Sequence, residues 1–175
     1  MNFTLRHMVQ ACWAPLAVRA ARHYVAGPDL ADALQTCRQL SRRGFAGTVG
    51  YWNGDDESPR HVADAHLAVL DAVAREGLNC SISVKAPPLE FAQDLLLAIV
   101  ERARRADVGI HFDSLAPEAS DATFGLIADV LPRYPRLGCT LPGRWPRSVC
   151  DADLAVELGV NARVVKGQWA DPAGP

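Results

Sequence analysis

Three charged side chains stand at or near the ends of apolar runs, where their chemistry would count most. Lys85 closes Cys80-Ser-Ile-Ser-Val-Lys85, Asp113 closes Val108-Gly-Ile-His-Phe-Asp113, and Arg163 lies inside Ala162-Arg-Val-Val-Lys-Gly-Gln-Trp169. In a parallel sheet the carboxyl ends of the strands are where an α/β protein assembles its site. A lysine, an aspartate and an arginine brought together there make a charged constellation on an apolar scaffold. The chemistry it fits is an enzyme that binds an anionic group beside a cofactor.

Alternation gives these side chains a direction. In residues 81–85, Ile82 and Val84 share one face, and Ser81, Ser83 and Lys85 the other. In residues 108–113, Val108, Ile110 and Phe112 face one way, and Gly109, His111 and Asp113 the other. If the apolar face meets helices, then Lys85, His111 and Asp113 point to the inside of the sheet's curve. A lone charge there is costly to bury, so each is expected to have a partner.

The elements that must position these residues read as an alternation of helices and strands. Helices are predicted over 29–43 (Asp29 as N-cap), 59–76 (Ser58 as cap, Pro59 at the first position), 91–105, 116–131 and 148–158, the last opened by a Ser148-to-Asp151 capping box. Strands are predicted over 45–52, 79–85, 108–112, 137–141 and 161–165. Helix 59–76 turns Val62, Ala65, Leu67, Val69, Leu70 and Val73 to the core. Strands alternating with helices require a parallel sheet. The expected fold class is α/β, a partial (β/α)8 TIM-type barrel with about five parallel strands and outer helices. Residues 1–175 read as one incomplete βα-barrel domain, with 1–27 as an N-terminal helical lead-in. A closed barrel typically needs ~250 residues, so the natural product is expected to continue past Pro175.

Composition excludes several classes. Of the 175 residues 49% are apolar and the formal net charge is −2, a globular balance without the basic excess of a nucleic-acid binder. No apolar run approaches the ~20 residues of a membrane helix, so membrane contact is at most peripheral. With no clean signal-peptide core, a cytoplasmic location is expected. Five widely spaced cysteines, without a Cys-x-x-Cys pair, indicate neither a disulfide framework nor a zinc site. Cys80 and Cys139, in strand-like runs, are expected to pack as small hydrophobes. His61 and His66, five apart, do not share a helix face well enough to hold a metal.

At the same runs the chain resembles the FAD-dependent proline dehydrogenases, over a stretch from Arg22-His-Tyr-Val-Ala-Gly27 to the C-terminus. Ser81-Ile-Ser-Val-Lys85 is similar to the family's second-strand motif, and His111-Phe-Asp-Ser114 to its third-strand motif. Arg163-Val-Val-Lys-Gly167 is similar to the family's Arg-Leu-Val-Lys-Gly-Ala-Tyr and is the most specific of the three. The resemblance corresponds to the N-terminal five βα units of the family's barrel. It implies that Lys85 holds a substrate carboxylate and that Asp113 and Arg163 are catalytic. It further implies that Ser114, Arg144, Arg163, Lys166, Gly167 and Gln168 contact FAD, with no metal. The implied reaction oxidises proline or a related secondary amino acid by hydride transfer to the flavin, with an electron acceptor such as a quinone.

The chain departs from the family in two places. The fourth strand runs out in Thr140-Leu-Pro-Gly-Arg-Trp-Pro-Arg147, where the family has Gln-Ala-Tyr, and Arg144 is the candidate replacement for the glutamine. Gln168-Trp169 stands in place of Ala-Tyr.

Plainer roles stay open beside these. Lys85 could extend to solvent, and Asp113 could cap the helix entered at Pro117 or pair with Lys85. Arg163 could form a structural salt bridge, and His111 reads as a satisfied inner residue. Trp145 and Trp169 serve equally well as core, rim or stacking groups. Two other functions are carried forward. One is a Schiff-base, aldolase-type barrel using Lys85 or Lys166; the other is a catalytically incompetent barrel fragment.

Overall fold

The computed structural model describes residues 26–171 apart from positions 28, 55 and 169. The helical lead-in expected over 1–27 therefore lies almost wholly outside the described residues, as does Trp169. Five strands, β1 (Gly47–Gly50), β2 (Cys80–Val84), β3 (Ile110–Phe112), β4 (Leu137–Pro142) and β5 (Asn161–Val165), pair in sequence order. Every pairing is parallel. Among the described residues five helices flank them: α1 (Leu30–Arg42), α2 (Pro59–Glu76), α3 (Gln93–Ala106), α4 (Ser120–Val130) and α5 (Ser148–Leu158). The architecture is the expected α/β partial barrel.

Local chemistry explains most boundaries. At α1 the Asp29 and Asp32 carboxylates each accept from the other's end of the first turn, a capping box. At α2 the Ser58 hydroxyl accepts from the His61 amide at 3.2 Å, Pro59 fills the first position, and Gly77 closes the helix at φ 59°. Three helix starts differ from expectation; the helix expected from Phe91 begins at Gln93, with Phe91 itself at φ 55°. Residues Pro117–Ala119 form a 3-10 turn before α4. The capping box expected at Ser148 does not form: the N-cap is Arg147, and the Ser148 hydroxyl donates instead to the Pro142 carbonyl at 2.7 Å. The Arg147 guanidinium pairs with Asp151 and bridges to Asp121, which ties the start of α5 to α4.

The outer face of the sheet is apolar and packs against the helices. Val49, Ile82, Val84, Ile110, Phe112, Leu137, Cys139 and Leu141 form one core with Leu70, Val73, Leu96, Ile99, Val100, Ile127 and Val130. On α2 the core stripe also takes in His66, while Ala65 and Leu67 are only partly covered. Cys139 is buried and Cys80 half-buried; burial pushes both thiols up to about 11, in keeping with a packing role.

Candidate functional site

Register brings the charged residues to one level. Val84 pairs with Phe112, Phe112 with Cys139 and Cys139 with Ala162. The residues that follow them, Lys85, Asp113, Thr140 and Arg163, therefore form one tier on the inner face. One tier below stand Gly50, Ser83, His111, Gly138 and Asn161, also in register. At the amino end, Thr48 and Ser81 share a hydrogen bond at 2.9 Å on the same inner face.

Asp113 is the hub. Its Oδ1 accepts from Arg163 Nη2 at 2.5 Å and from the Thr140 hydroxyl at 3.2 Å, and its Oδ2 accepts from the Ser83 hydroxyl at 2.5 Å. Of the two partners open to Asp113 from the sequence, neither is used: the carboxylate does not cap the helix at Pro117, and its ion-pair partner is Arg163 rather than Lys85. Thr140 also accepts from Arg163 Nη2 at 3.2 Å and lies 2.9 Å from His111 Nε2. The threonine has a single proton, which goes to Asp113, so the neutral His111 carries its hydrogen on Nε2 and donates. Burial, followed by the Arg163 charge and opposed by Asp113, depresses the His111 pKa to about 4. His111 is thus a neutral, hydrogen-bonded inner residue. Gly138 makes room for its ring: a Cβ there would come within 2.6 Å of His111 Nδ1.

Lys85 is only 9% exposed. Its ammonium donates to the Tyr51 carbonyl at 3.0 Å and sits 4.7 Å from the centre of the Trp52 ring. Burial lowers its pKa, and Asp113 partly opposes that effect. Beneath it, His66 on α2 is 2% exposed, and its pKa falls to about 4 through burial and then the Lys85 charge. His61, by contrast, is exposed, on the side of α2 that carries it to within 4.0 Å of Glu57.

A groove of about 450 Å³ opens above this tier. It brings together Lys85, Asp113, Ser114, Arg163, Lys166, Gly167 and Gln168, with Leu115, Pro142 and Trp145 as apolar lining. Arg144 is the candidate that lies apart: it is exposed, its guanidinium donates to the Gln168 carbonyl at 3.3 Å, and Thr140 holds the fourth-strand place on the inner tier. Sequence reasoning passed over Thr140, Ser83 and Trp52. The period-two pattern already put Ser83 beside Lys85, and the same count along β4 would have found Thr140.

Three features of the groove bear on what it could hold. Ser114 lines it, and its hydroxyl is buried and has no hydrogen-bond partner among the described residues. Gly167 turns at φ 87°, where a Cβ would come within 2.7 Å of Pro142, so backbone packs closely at the exit of β5. The cationic Arg163 lies across the groove floor.

No family model matches the chain. Proline dehydrogenase 1 of Bacillus subtilis strain 168 is 25% identical over 162 residues, covering 87% of this chain and 54% of that protein; the protein of the same name from subspecies natto matches equally. The chain thus spans about half the length of the curated relatives it matches. Among solved structures, proline utilization A (PutA) from Bdellovibrio bacteriovorus inactivated by N-propargylglycine superposes with a TM-score of 0.67 at 14% identity, over 82% of this chain and 20% of that one. A PutA variant from Bradyrhizobium japonicum gives 0.57 at 19% identity, over 69% and 16%. These structural likenesses concern the fold, and they agree with the sequence match. Over most of its length the chain is similar in sequence to these proline dehydrogenases, and its five βα units share the fold of the PutA structures.

Proposed function

We propose that this chain carries the substrate and flavin side of an FAD-dependent oxidoreductase that oxidises proline or a related secondary amino acid. The observation that supports it most is the single tier on which Lys85, Asp113 and Arg163 face one groove. Lys85 is buried and has donors to spare, which suits it to a carboxylate. Such an anchor fixes the carbon beside the amine over the groove floor, where orientation lowers the barrier. Asp113 holds Arg163 in place through a 2.5 Å ion pair, so that the guanidinium presents fixed positive charge to the groove. Arg163, Lys166, Gly167, Gln168 and Ser114 would hold the flavin, and Arg144 would act from outside the groove through Gln168. When bound, FAD would supply the acceptor for the hydride leaving the carbon next to nitrogen, and the neutral amine's lone pair would complete the C=N bond of an iminium product, which gives its N–H proton to water to become the imine. An acceptor such as a quinone would reoxidise the flavin. No helix among the described residues is long and apolar enough to cross a membrane; we place the protein in the cytoplasm, in contact with a membrane at most peripherally.

The test is the visible spectrum of the purified full-length product. A bound yellow flavin supports the reading. A second reading draws on the burial that lowers the Lys85 pKa, as a nucleophilic amine requires. It calls for a colourless protein that borohydride traps covalently with a carbonyl substrate, and that pair of results would replace the flavin reading.

A further inference from the structure

Trp52 lies just past β1 (Gly47–Gly50), yet it continues that strand's alternation. Thr48 and Gly50 face inward, Tyr51 turns outward, and Trp52 turns inward again. Tyr51 is pinned on the outer side, its ring edge-on to His66 at 6.2 Å and its hydroxyl donating to Glu57 at 2.7 Å. Gly50 pairs with Ser83, so two residues further along each strand Trp52 falls level with Lys85. The indole stays 75% exposed while its face covers the Lys85 ammonium at 4.7 Å. An ammonium has three donors. One is given to the Tyr51 carbonyl, and among the described residues no carboxylate lies within ion-pairing distance of Lys85. The remaining donors and the indole therefore meet at the same end of the groove. Leu115, Pro142 and Val165 line it further in.

We propose that Trp52 is a specificity-determining residue, the apolar wall of the Lys85 site. It selects carboxylates that carry an apolar ring beside the carboxyl carbon. The carboxylate meets the ammonium, and the ring packs against the indole, which offers a large rigid surface at small entropic cost. The cation beneath the indole keeps that surface in place before the ligand arrives. This inference rests on the reading that Lys85 receives a carboxylate.

Isothermal titration of the full-length product with cyclopentanecarboxylate and with acetate separates the two claims. Trp52→Ala should raise Kd for cyclopentanecarboxylate about tenfold, and for acetate less than about threefold. Trp52→Phe should stay near the wild type for both ligands. Lys85→Met should weaken both. Equal changes for the two ligands in Trp52→Ala, or no change, would overturn the role of Trp52 and leave the Lys85 reading standing. Unchanged binding in Lys85→Met, or no binding of either ligand by the wild type, would overturn the carboxylate reading and this inference with it.

Discussion

Asp113 and Arg163 stand fifty residues apart in the chain, and their side chains meet at 2.5 Å on the inner face of the sheet. The contact spans β4, whose Thr140 bonds to both partners. One carboxylate therefore ties together β2 through Ser83, β4 through Thr140 and β5 through Arg163. In a half-barrel this network fixes the edge strand β5 and orients its cation at once.

Loss of the Lys85 ammonium should act on ligand binding. Lys85→Ala should weaken a carboxylate competitor by roughly 1.5–3 kcal/mol, the worth of a charge-assisted hydrogen bond. Equilibrium titration of the full-length product measures this, and an unchanged affinity would remove Lys85 from the site.

Stability should fall in acid through His66. Its folded pKa is depressed to about 4 from 6.5, so between these values the unfolded chain binds more protons than the folded one. The contribution is fully present above pH 6.5 and is lost as pH falls toward 4. His66→Gln should flatten the pH dependence of urea unfolding in this window by up to about 1.4 kcal/mol per pH unit. A slope identical to wild type would show that His66 is not the responsible group.

Gly138 should not tolerate a side chain. An added Cβ would meet His111 Nδ1 at 2.6 Å and the Asn161 carbonyl at 2.9 Å. Gly138→Ala should cost about 1–3 kcal/mol in denaturant unfolding, the usual penalty of overpacking. His111→Ala in the same chain should recover only part, because the Asn161 carbonyl remains in the way. Wild-type stability of Gly138→Ala would contradict this close approach.

The β5 edge should make the 175-residue chain self-associate. Among the described residues β5 pairs with β4 alone, and Val164 on β5 (73%) and Val156 on the neighbouring α5 (79%) are widely exposed. Light scattering should show species larger than a monomer, and the double substitution Val156→Lys, Val164→Lys should shift them toward monomer. A monodisperse wild-type monomer that unfolds cooperatively would count against it.

Legibility in the sequence followed the range of the interactions. The ends of α2 and of β5 were readable to the residue, because Ser58, Pro59 and Gly77 act locally and β5 is a short segment set between Gly159 and Gly167. The inner position of Lys85 and Asp113 followed from alternation alone. The partner of Asp113 did not, because it depends on the β3–β4 and β4–β5 registers together. Ser148 misled because a local cap competed with a nearby carbonyl and lost. His66 escaped because a polar side chain on the buried side of a helix breaks the binary pattern. Trp52 escaped because its contact with Lys85 crosses from one strand to the next.

The most direct test is anaerobic stopped-flow reduction of flavin in the full-length product by proline and a panel of related secondary amino acids, for the wild type and Arg163→Met. At least one of these amino acids should bleach the oxidised flavin. Arg163→Met should slow that step by about 10²-fold or more, the usual loss on removing a group that stabilises transition-state charge, while much of the flavin stays bound. A flavin that remains bound and is reduced by none of them would contradict the dehydrogenase reading.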